Sequence, residues 1–396
     1  MKKPHIVYAV IFTFLLISCT GTENNPAPPT IDEMAGQPKS KSRWGSLTGK
    51  IPNNIGNAIT GDPKTTRTIT WQSTNNSGEV IIGITHYPST TKKEGNYYFH
   101  RVNITELEPG DTYRYIAGSS GFYSPVYSFK TADNTGEFYV LHITDPQISL
   151  SKNKTDATVW KRVIESAVSQ CRSAAFIVNT GDIVEDKIEN VIPYYFDYPQ
   201  EIIANYAFVY SMGNNDETSW YNKYFYTPDR GHGGILYSFD YGDVHFVNFD
   251  SNVNLNSARR TWLENDLKTT TKKWKVAMTH EADYGRSGKD TAITKLLDTY
   301  NVDLVLAGHN HFYGRTNPID TEGNYKTNGT VWSIPNTAGT EYNSISLSGQ
   351  NYLAVNKQPY LPMFSILQFT ETNIYLDAYT VDSTTGTVVY DSFTFR

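Results

Sequence analysis

The stretch VDLVLAGHNH at residues 302–311 decides the fold class of this chain, because an apolar run ends there in two histidines that flank one asparagine. Four earlier segments share this design of an apolar run followed by a polar cluster: FYVLHITDPQ (138–147), AAFIVNTGD (174–182), FVYSMGNND (208–216) and WKVAMTH (274–280). Continuous apolar runs of this length are typical of strands that are covered on both faces, as in a parallel sheet with helices packed against it.

Helical patterns alternate with these predicted strands. One set of apolar residues recurs at spacings of three and four: Trp160, Val163, Ile164, Ala167, Val168 and Cys171. A second helix is expected after Ser257, the predicted N-cap, with Trp262, Leu263 and Leu267 on its apolar face. Strands that alternate with helices predict an α/β domain, and ligands bind such sheets at the carboxyl ends of the strands, where all the polar clusters lie.

Length and charge limit the classes of function. With 396 residues the chain has room for two domains and a sizeable core. Its net charge of -6 and pI near 5.9, without any run of Lys or Arg, argue against binding nucleic acid through broad charge attraction.

The N-terminus predicts export. Lys2 and Lys3 precede an apolar stretch at residues 6–18 that is too short to span a bilayer, so residues 1–18 are expected to be a signal peptide. The stretch ends in LISC, which resembles the bacterial lipoprotein box, so Cys19 is the expected lipidation site and the bacterial cell envelope the expected location. The alternative is an ordinary secretory signal with a chance cysteine. Residues 19–47 have the composition of a flexible tether.

Residues 48–131 have a different texture. Short alternating segments, among them TRTITWQST, YYFHRVNIT and TYRYIAG, are separated by turn signals such as Pro109-Gly110. This pattern predicts an antiparallel β-sandwich.

The polar clusters together supply the ligands of a two-metal site. Such a site needs a bridging carboxylate, further nitrogen and oxygen ligands, and open positions for water and phosphate. We expect Asp182 to be the bridge. One metal would be completed by Asp145, Gln147 and His311, and the other by Asn214, His280 and His309.

Two carboxylates leave a pair of divalent cations with net positive charge. An anionic phosphate group is then attracted to the site, and a metal-bound water loses a proton near neutral pH to become the nucleophile.

Several segments resemble calcineurin-like metallophosphoesterases, and most closely the purple acid phosphatase branch: LYSFDYGDVHFVNFDS (236–251), TWLENDLK (261–268), VDLVLAGHNHFYGR (302–315) and DAYTVDSTTGTVVYDSFTF (377–395). NITELEPGDTYRYIAG (103–118) resembles the fibronectin-type-III-like domain of that branch. The resemblance implies an N-terminal β-sandwich at 48–131 and a four-layer α/β/β/α metallophosphoesterase domain at 136–396, a fold of the mixed α+β and α/β classes.

The chain departs from that branch at two metal-facing positions. Purple enzymes have a tyrosine three residues after the bridging aspartate, and Glu185 stands there in this chain. Without a phenolate, a trivalent ion is less favoured and a divalent pair of Mn, Fe, Zn or Co is expected. Gln147 occupies a position where most non-purple members have a histidine, and its amide oxygen favours Mn or Fe over Zn.

A third departure affects catalysis. The family's phosphate-contacting histidine is replaced by Asn215, which donates a hydrogen bond but cannot deliver a proton near neutral pH. His232, in a glycine-flanked loop, is a candidate substitute, the alternative being an exposed loop residue. Arg286 and Lys289 lie where relatives place phosphate-contacting residues, so they are candidate substrate-binding residues, the alternative being a solvated loop.

These features together predict an enzyme, a metal-dependent phosphoric ester hydrolase that acts on a phosphorylated small molecule. Phosphomonoesterase activity is the first expectation. Phosphodiester or nucleotide hydrolysis is the alternative, because good leaving groups need less help from a general acid. A surface-binding protein with a weakened metal site is a third possibility, favoured only by Gln147 and Asn215.

Overall fold

The structure is a computed structural model that describes residues 49–119, 121–133, 136–228, 234, 236–253, 256–282, 291–344 and 352–395. The predicted signal peptide and tether, and with them Cys19, lie outside these residues. Among the described residues, none of the helices combines the length and the apolar character needed to cross a bilayer.

The first nine strands form the N-terminal β domain: β1 (Asn53–Ala58), β2 (Arg67–Ser73), β3 (Glu79–Ile82), β4 (Thr85–Pro88), β5 (Thr90–Glu94), β6 (Tyr97–Ile104), β7 (Thr112–Ser119), β8 (Phe122–Tyr123) and β9 (Tyr127–Lys130). Strands β4, β3, β7 and β8, with β9 against β7, make one sheet of this sandwich. Strands β1, β2, β6 and β5 make the other.

The remaining strands belong to the α/β domain: β10 (Phe138–Ile143), β11 (Ala174–Asn179), β12 (Phe208–Tyr210), β13 (Leu236–Tyr241), β14 (Val244–Phe249), β15 (Trp274–Glu281), β16 (Leu304–Gly308), β17 (Tyr313–Thr316), β18 (Val331–Pro335), β19 (Leu353–Lys357), β20 (Met363–Phe369), β21 (Ile374–Asp382) and β22 (Gly386–Phe395). All five segments that the sequence predicts as strands therefore form strands.

Helices connect them: α1 (Asn153–Gln170), α2 (Ile192–Asp197), α3 (Gln200–Asn205), α4 (Thr218–Tyr224), α5 (Ser257–Thr269) and α6 (Thr291–Thr299), with a 3-10 turn at Glu189–Val191. One predicted cap is wrong. The N-cap of α5 is Asn256, whose side chain accepts a hydrogen bond from the amide of Arg259, and Ser257 is the first helical residue.

The α/β domain has four layers. Apolar residues of α1, such as Trp160, pack on one face of the sheet that contains β10, β11 and β12. The other face packs against the second sheet through residues such as Val178 and Met278. Leu263 of α5 and Leu297 of α6 cover the far face of the second sheet. Strands in the middle are buried on both faces, which explains their continuous apolar sequences. The predicted fold class is confirmed.

The two domains share a sheet. Strand β1 pairs in parallel with β12, where Ala58 lies opposite Phe208, so that ten of the described strands run in the order β22-β21-β20-β10-β11-β12-β1-β2-β6-β5. Tyr115 of the sandwich donates a hydrogen bond to the carbonyl of Ala204 at the end of α3. The sandwich is therefore built onto the edge of the α/β domain by backbone pairing and is not joined to it by a linker alone.

A histidine held between two carboxylates makes the stability of the fold depend on pH. Nδ1 of His245 is hydrogen-bonded to Asp240 and Nε2 is hydrogen-bonded to Asp266, each at 2.8 Å. Burial opposes protonation, but the hydrogen bonds and charges of the two carboxylates prevail and raise the pKa of His245 to about 9.

We expect His245→Gln to destabilise the protein below about pH 6.5 and to have much less effect above about pH 9. The folded pKa exceeds that of an unfolded histidine, so the stabilising contribution is complete below the unfolded pKa and is lost as pH rises through the folded one. The free energy of unfolding, measured by urea titration across this range, tests the expectation. His86→Gln, at a histidine whose side chain is 37% exposed beside Glu79, is the matched control. A destabilisation by His245→Gln that is the same at both pH values would contradict the interpretation.

Candidate metal centre

The parallel strands of both sheets direct their carboxyl ends to one region. In the first sheet β10, β11 and β12 run parallel, and Asp145, Asp182 and Asn214 follow their ends. In the second sheet β15 and β16 run parallel, with His280 near the end of the first and His309 directly after the second.

The structure brings these residues together in two clusters that share one carboxylate. Among the described residues, ligand atoms of Asp182, His280 and His309 lie within 4.8 Å of one another, as do those of Asp145, Asp182 and His311. All but His309 are buried. These are the groupings that the sequence analysis assigns to the two predicted cations, and Asp182 belongs to both.

The remaining predicted ligands lie at the same place. The Oδ1 atom of Asn214 is 3.1 Å from Nε2 of His280, and the side-chain amide nitrogen of Gln147 is 3.1 Å from Oδ2 of Asp182. Within the described residues, no hydrogen-bond partner reaches two buried atoms here, Oε1 of Gln147 and Nδ1 of His309. Buried polar atoms normally have partners, and an amide oxygen and an imidazole nitrogen are both metal ligands. The residues present therefore fit a pair of cations.

The tautomer of His280 suits a ligand. Its Nδ1 donates to the carbonyl oxygen of Thr180 at 2.7 Å, so Nε2, which faces Asp182 and Asn214, is the ring nitrogen available to a metal. Fixing one ring nitrogen in this way is how proteins orient metal-binding histidines.

The backbone of the site is strained. Five of the predicted ligands adopt positive φ although none is glycine: Asp145 (51°), Gln147 (39°), Asp182 (50°), His309 (71°) and His311 (47°). Non-glycine residues in this region cost of order 1–3 kcal/mol each and persist where the surrounding structure imposes them, commonly at functional sites. Such a concentration at adjoining strand ends indicates that this fold holds these side chains in place for a purpose other than stability.

Glycines allow the loops to approach one another. A Cβ on Gly213 would lie 2.8 Å from Cα of Asp182 and closer still to its amide nitrogen. A Cβ on Gly308 would lie 2.7 Å from Oδ2 of Asp145. Both distances are below the van der Waals contact of about 3.5 Å, so the motifs MGNND and AGHNH need these glycines for space.

Charge at the shared carboxylate is set by its neighbours. Burial opposes ionisation of Asp182, but the charge and hydrogen bond of His280, with hydrogen bonds from the Asn215 amide and Gln147, lower its pKa to about 2. Asp182 is therefore anionic at every physiological pH, the state in which a carboxylate can bind a metal.

Glu185, at the position of the purple enzymes' tyrosine, lies at the edge of the centre. Burial, together with the negative charges of Glu341, Asp186 and Asp182, raises its pKa to about 7. The like charges that surround it are those a cation would neutralise.

Asn215 is engaged with the shared carboxylate. Its backbone amide donates to Oδ1 of Asp182 at 2.7 Å and its side-chain amide donates to Oδ2 at 3.0 Å. His232, Arg286 and Lys289 lie outside the described residues, so these three candidates stay predictions.

Two contributors to the site have no assigned role in the sequence interpretation. Asp216, the last residue of GNND, accepts hydrogen bonds from the amides of Ile183 and Gly213 and so holds the β11 and β12 loops together. The segment NTAG after β18 lies against Asp145, since Thr337 donates to the carbonyl of Asp145 at 2.6 Å. VWSIPNTAG repeats the pattern of an apolar run before a polar cluster, and this is the signal that could have revealed it.

Family models divide the chain at the same place as its change in architecture. The purple acid phosphatase N-terminal domain matches residues 52–131, and the calcineurin-like phosphoesterase model matches residues 138–313. The chain therefore contains a purple acid phosphatase N-terminal domain, followed by a calcineurin-like phosphoesterase domain. All of the predicted metal ligands lie within the second match.

Similar proteins are named acid phosphatases or purple acid phosphatases. Acid phosphatase type 7 of Mus musculus is 25% identical over 264 residues, which cover 56% of this chain and 58% of that protein. Purple acid phosphatase 21 of Arabidopsis thaliana is 28% identical over 249 residues, with 56% and 54% covered. The match thus spans little more than half the length of these relatives.

Solved structures share the fold. Purple acid phosphatase PPD1 from yellow lupin (Lupinus luteus) seeds superposes with a TM-score of 0.73 at 17% identity, covering 87% of this chain and 74% of that one. A structure of PhoD gives 0.67 at 12% identity, with 89% and 91% covered.

Proposed function

We propose that the chain is a metal-dependent phosphoesterase with a pair of divalent cations, and that its substrates are phosphomonoesters in the first place. The observation that carries the proposal is the pair of clusters that share the buried, anionic Asp182. The acid phosphatase names of the relatives agree with it.

The chain's own residues do three things in this reaction. Asp182 holds one charge between the two cation positions, while Asp145 and His311 complete one position and His280 and His309 the other. The strained loops fix these groups, so little reorganisation is needed when phosphate binds. When bound, a cation pair supplies positive charge for the phosphate and lowers the pKa of water, the nucleophile.

Activity assays on a monoester and a diester, combined with metal analysis, test the proposal. Protein reconstituted separately with Mn, Fe, Zn or Co would be assayed on p-nitrophenyl phosphate and on bis(p-nitrophenyl) phosphate, with bound metal measured in parallel. We expect metal uptake of about two ions per chain and faster turnover of the monoester. Metal uptake without hydrolysis of either ester would favour a binding protein with a weakened site.

Phosphodiester or nucleotide hydrolysis is the second candidate, and Asn215 is the observation that favours it. An asparagine at the position of the family's acid leaves esters of poor leaving groups without a proton donor. A faster rate on the diester than on the monoester in the same assay would establish this candidate instead.

Restoring a proton donor at position 215 should show how far Asn215 lowers the rate of hydrolysis. We expect Asn215→His to raise turnover of an alkyl phosphate by about tenfold or more and to change turnover of p-nitrophenyl phosphate little, because only the alkoxide needs protonation as it leaves. The ratio of the two rates is the measurement, with Asn214 intact and metal content confirmed. Equal changes for both esters would show that the substitution acts through Asp182 and not through proton donation.

We also propose that the protein is exported and anchored by a lipid on Cys19, with residues 19–47 as a tether. The LISC motif after the apolar stretch supports this. Expressed in a bacterium, the full chain should partition into detergent and Cys19→Ala into the aqueous phase. If both forms partition alike, no lipid is attached at Cys19.

A further inference from the structure

Two tyrosines lie on segments that border the candidate metal centre and contribute to neither ligand cluster. The rings of Tyr342 and Tyr360 are in edge-to-face contact, with centroids 6.2 Å apart and an interplanar angle of 74°. Tyr360 is 62% exposed, so much of its ring faces solvent.

Hydrogen bonds attach both segments to His311. The backbone amide of Asn343, next to Tyr342, donates to the carbonyl of His311 at 3.2 Å. The side-chain amide of Gln358 donates to that same carbonyl and, at 2.9 Å, to the carbonyl of Asn343. The Oε1 atom of Gln358 accepts from the amide of Tyr360 at 3.0 Å.

The position of Tyr360 is imposed on it. Its φ of 55° is one that a bulky residue adopts only under constraint. Gln358 supplies that constraint through the hydrogen bond to the Tyr360 amide, and Asn336 braces Gln358 by donating to Oε1 at 3.1 Å. An exposed aromatic ring on a strained backbone, braced against a candidate metal ligand, contributes nothing evident to the stability of the fold.

The segment of Tyr342 also borders the other ligand of the same cation position. The amide of Ala338 donates to the carbonyl of Thr144 at 2.8 Å, and Thr337 donates to the carbonyl of Asp145. Tyr342 reaches back to this segment through its hydroxyl, which is 3.5 Å from the carbonyl of Gly339. The segments that carry both rings are therefore fixed at the Asp145 and His311 side of the centre.

We propose that Tyr342 and Tyr360 form an aromatic platform that binds the ring of an aryl phosphate ester while its phosphate occupies the metal centre. The inference rests on the proposed phosphoesterase function and names its substrate class. Aromatic rings pair edge to face or offset-stacked, and the exposed Tyr360 has an open side for such a partner.

The absent proton donor at Asn215 agrees with this substrate class. Hydrolysis joins the oxygen of water to phosphorus and breaks the bond between phosphorus and the ester oxygen, whose group leaves with the bonding electron pair and takes a proton from solvent. A phenol ionises near pH 10, so a phenoxide leaves without a general acid, whereas an alkoxide does not. The leaving group that tolerates asparagine is thus also the one that carries a flat ring.

Binding of two phosphonates separates ring recognition from catalysis. Benzylphosphonate keeps the flat ring and cannot be hydrolysed, and cyclohexylmethylphosphonate has the same charge with a saturated ring. We expect the metal-loaded protein to bind benzylphosphonate more tightly. We expect Tyr360→Ala to weaken that binding by about 2- to 12-fold, the factor for one aromatic contact. The affinity for cyclohexylmethylphosphonate should change by no more than about twofold.

Companion variants distinguish a platform from a structural role. Tyr360→Phe keeps the ring and should bind benzylphosphonate as the unaltered protein does. Tyr325→Ala removes another tyrosine, 70% exposed, and should change nothing. With phenyl phosphate, Tyr360→Ala should raise KM by the same factor and leave kcat within about twofold, since the ring binds alike before and during reaction.

Equal binding of the two phosphonates, equal losses for both in Tyr360→Ala, or no binding of either would overturn the platform. Selective binding of benzylphosphonate by a protein that hydrolyses no ester would instead contradict the proposed function and leave the platform standing.

Discussion

Asp182→Asn should remove measurable phosphoesterase turnover and the binding of at least one metal ion. Asp182 belongs to both ligand clusters, so its loss alters both cation positions at once. Loss of a residue that hydrogen-bonds a metal ligand typically reduces metal affinity or activity by about 10- to 100-fold. Loss of the shared ligand itself should have a larger effect. Metal content by elemental analysis and kcat/KM on p-nitrophenyl phosphate are the measurements.

Asp186→Asn is the matched control for this substitution. Asp186 is exposed, lies four residues further along the same loop and has a positive φ of 56°, which asparagine tolerates well. It removes the same charge from the same neighbourhood without touching either cluster, so metal content and turnover should stay within about threefold of the unaltered protein. If Asp182→Asn keeps its turnover, the measured activity arises elsewhere.

The sequence predicts which segments form strands better than it predicts which strands pair with one another. Apolar runs that end in GD, MGNND, TH or GHNH have to be buried strands with polar ends, because burial on both faces leaves only those ends for polar side chains. That argument places Asp145, Asp182 and His309 at one edge. It does not predict that β1 extends the sheet beyond β12, since edge pairing depends on backbone groups that no side-chain pattern encodes.

The contacts of individual side chains were less predictable than their neighbourhood. Asn215 follows Asn214 in sequence, yet its amides contact the Asp182 carboxylate, 33 residues earlier in the chain, because Asp216 ties the two loops together. Tyr360 is linked to His311 through Gln358, which lies 47 residues after His311 in the chain. Contacts of this kind depend on three-dimensional closure of loops, which a single sequence does not specify.

Gly213→Ala should impair the metal centre about as severely as loss of a ligand, although it changes no polar group. The added methyl group would meet the amide nitrogen, Cα and Oδ1 of Asp182 at once, and two of these atoms are backbone that no rotamer change can move away. The two loops therefore have to separate. Overpacking of this kind costs about 1–3 kcal/mol, and a displacement of about 1 Å at a catalytic group can reduce rates about 100-fold.

Gly136→Ala supplies the comparison, because it makes the same chemical change where space is available. A Cβ there would have Asp243 Oδ2 as its neighbour at 3.9 Å, an ordinary contact. Thermal unfolding, metal content and turnover should be unchanged or slightly improved in Gly136→Ala, since alanine restricts the unfolded chain. Gly213→Ala should lose metal and turnover even at temperatures where it is fully folded. A Gly213→Ala protein with normal metal content and rates would show that the loops around Asp182 are not held at the separation described here, and that strain at the ligands does not position them.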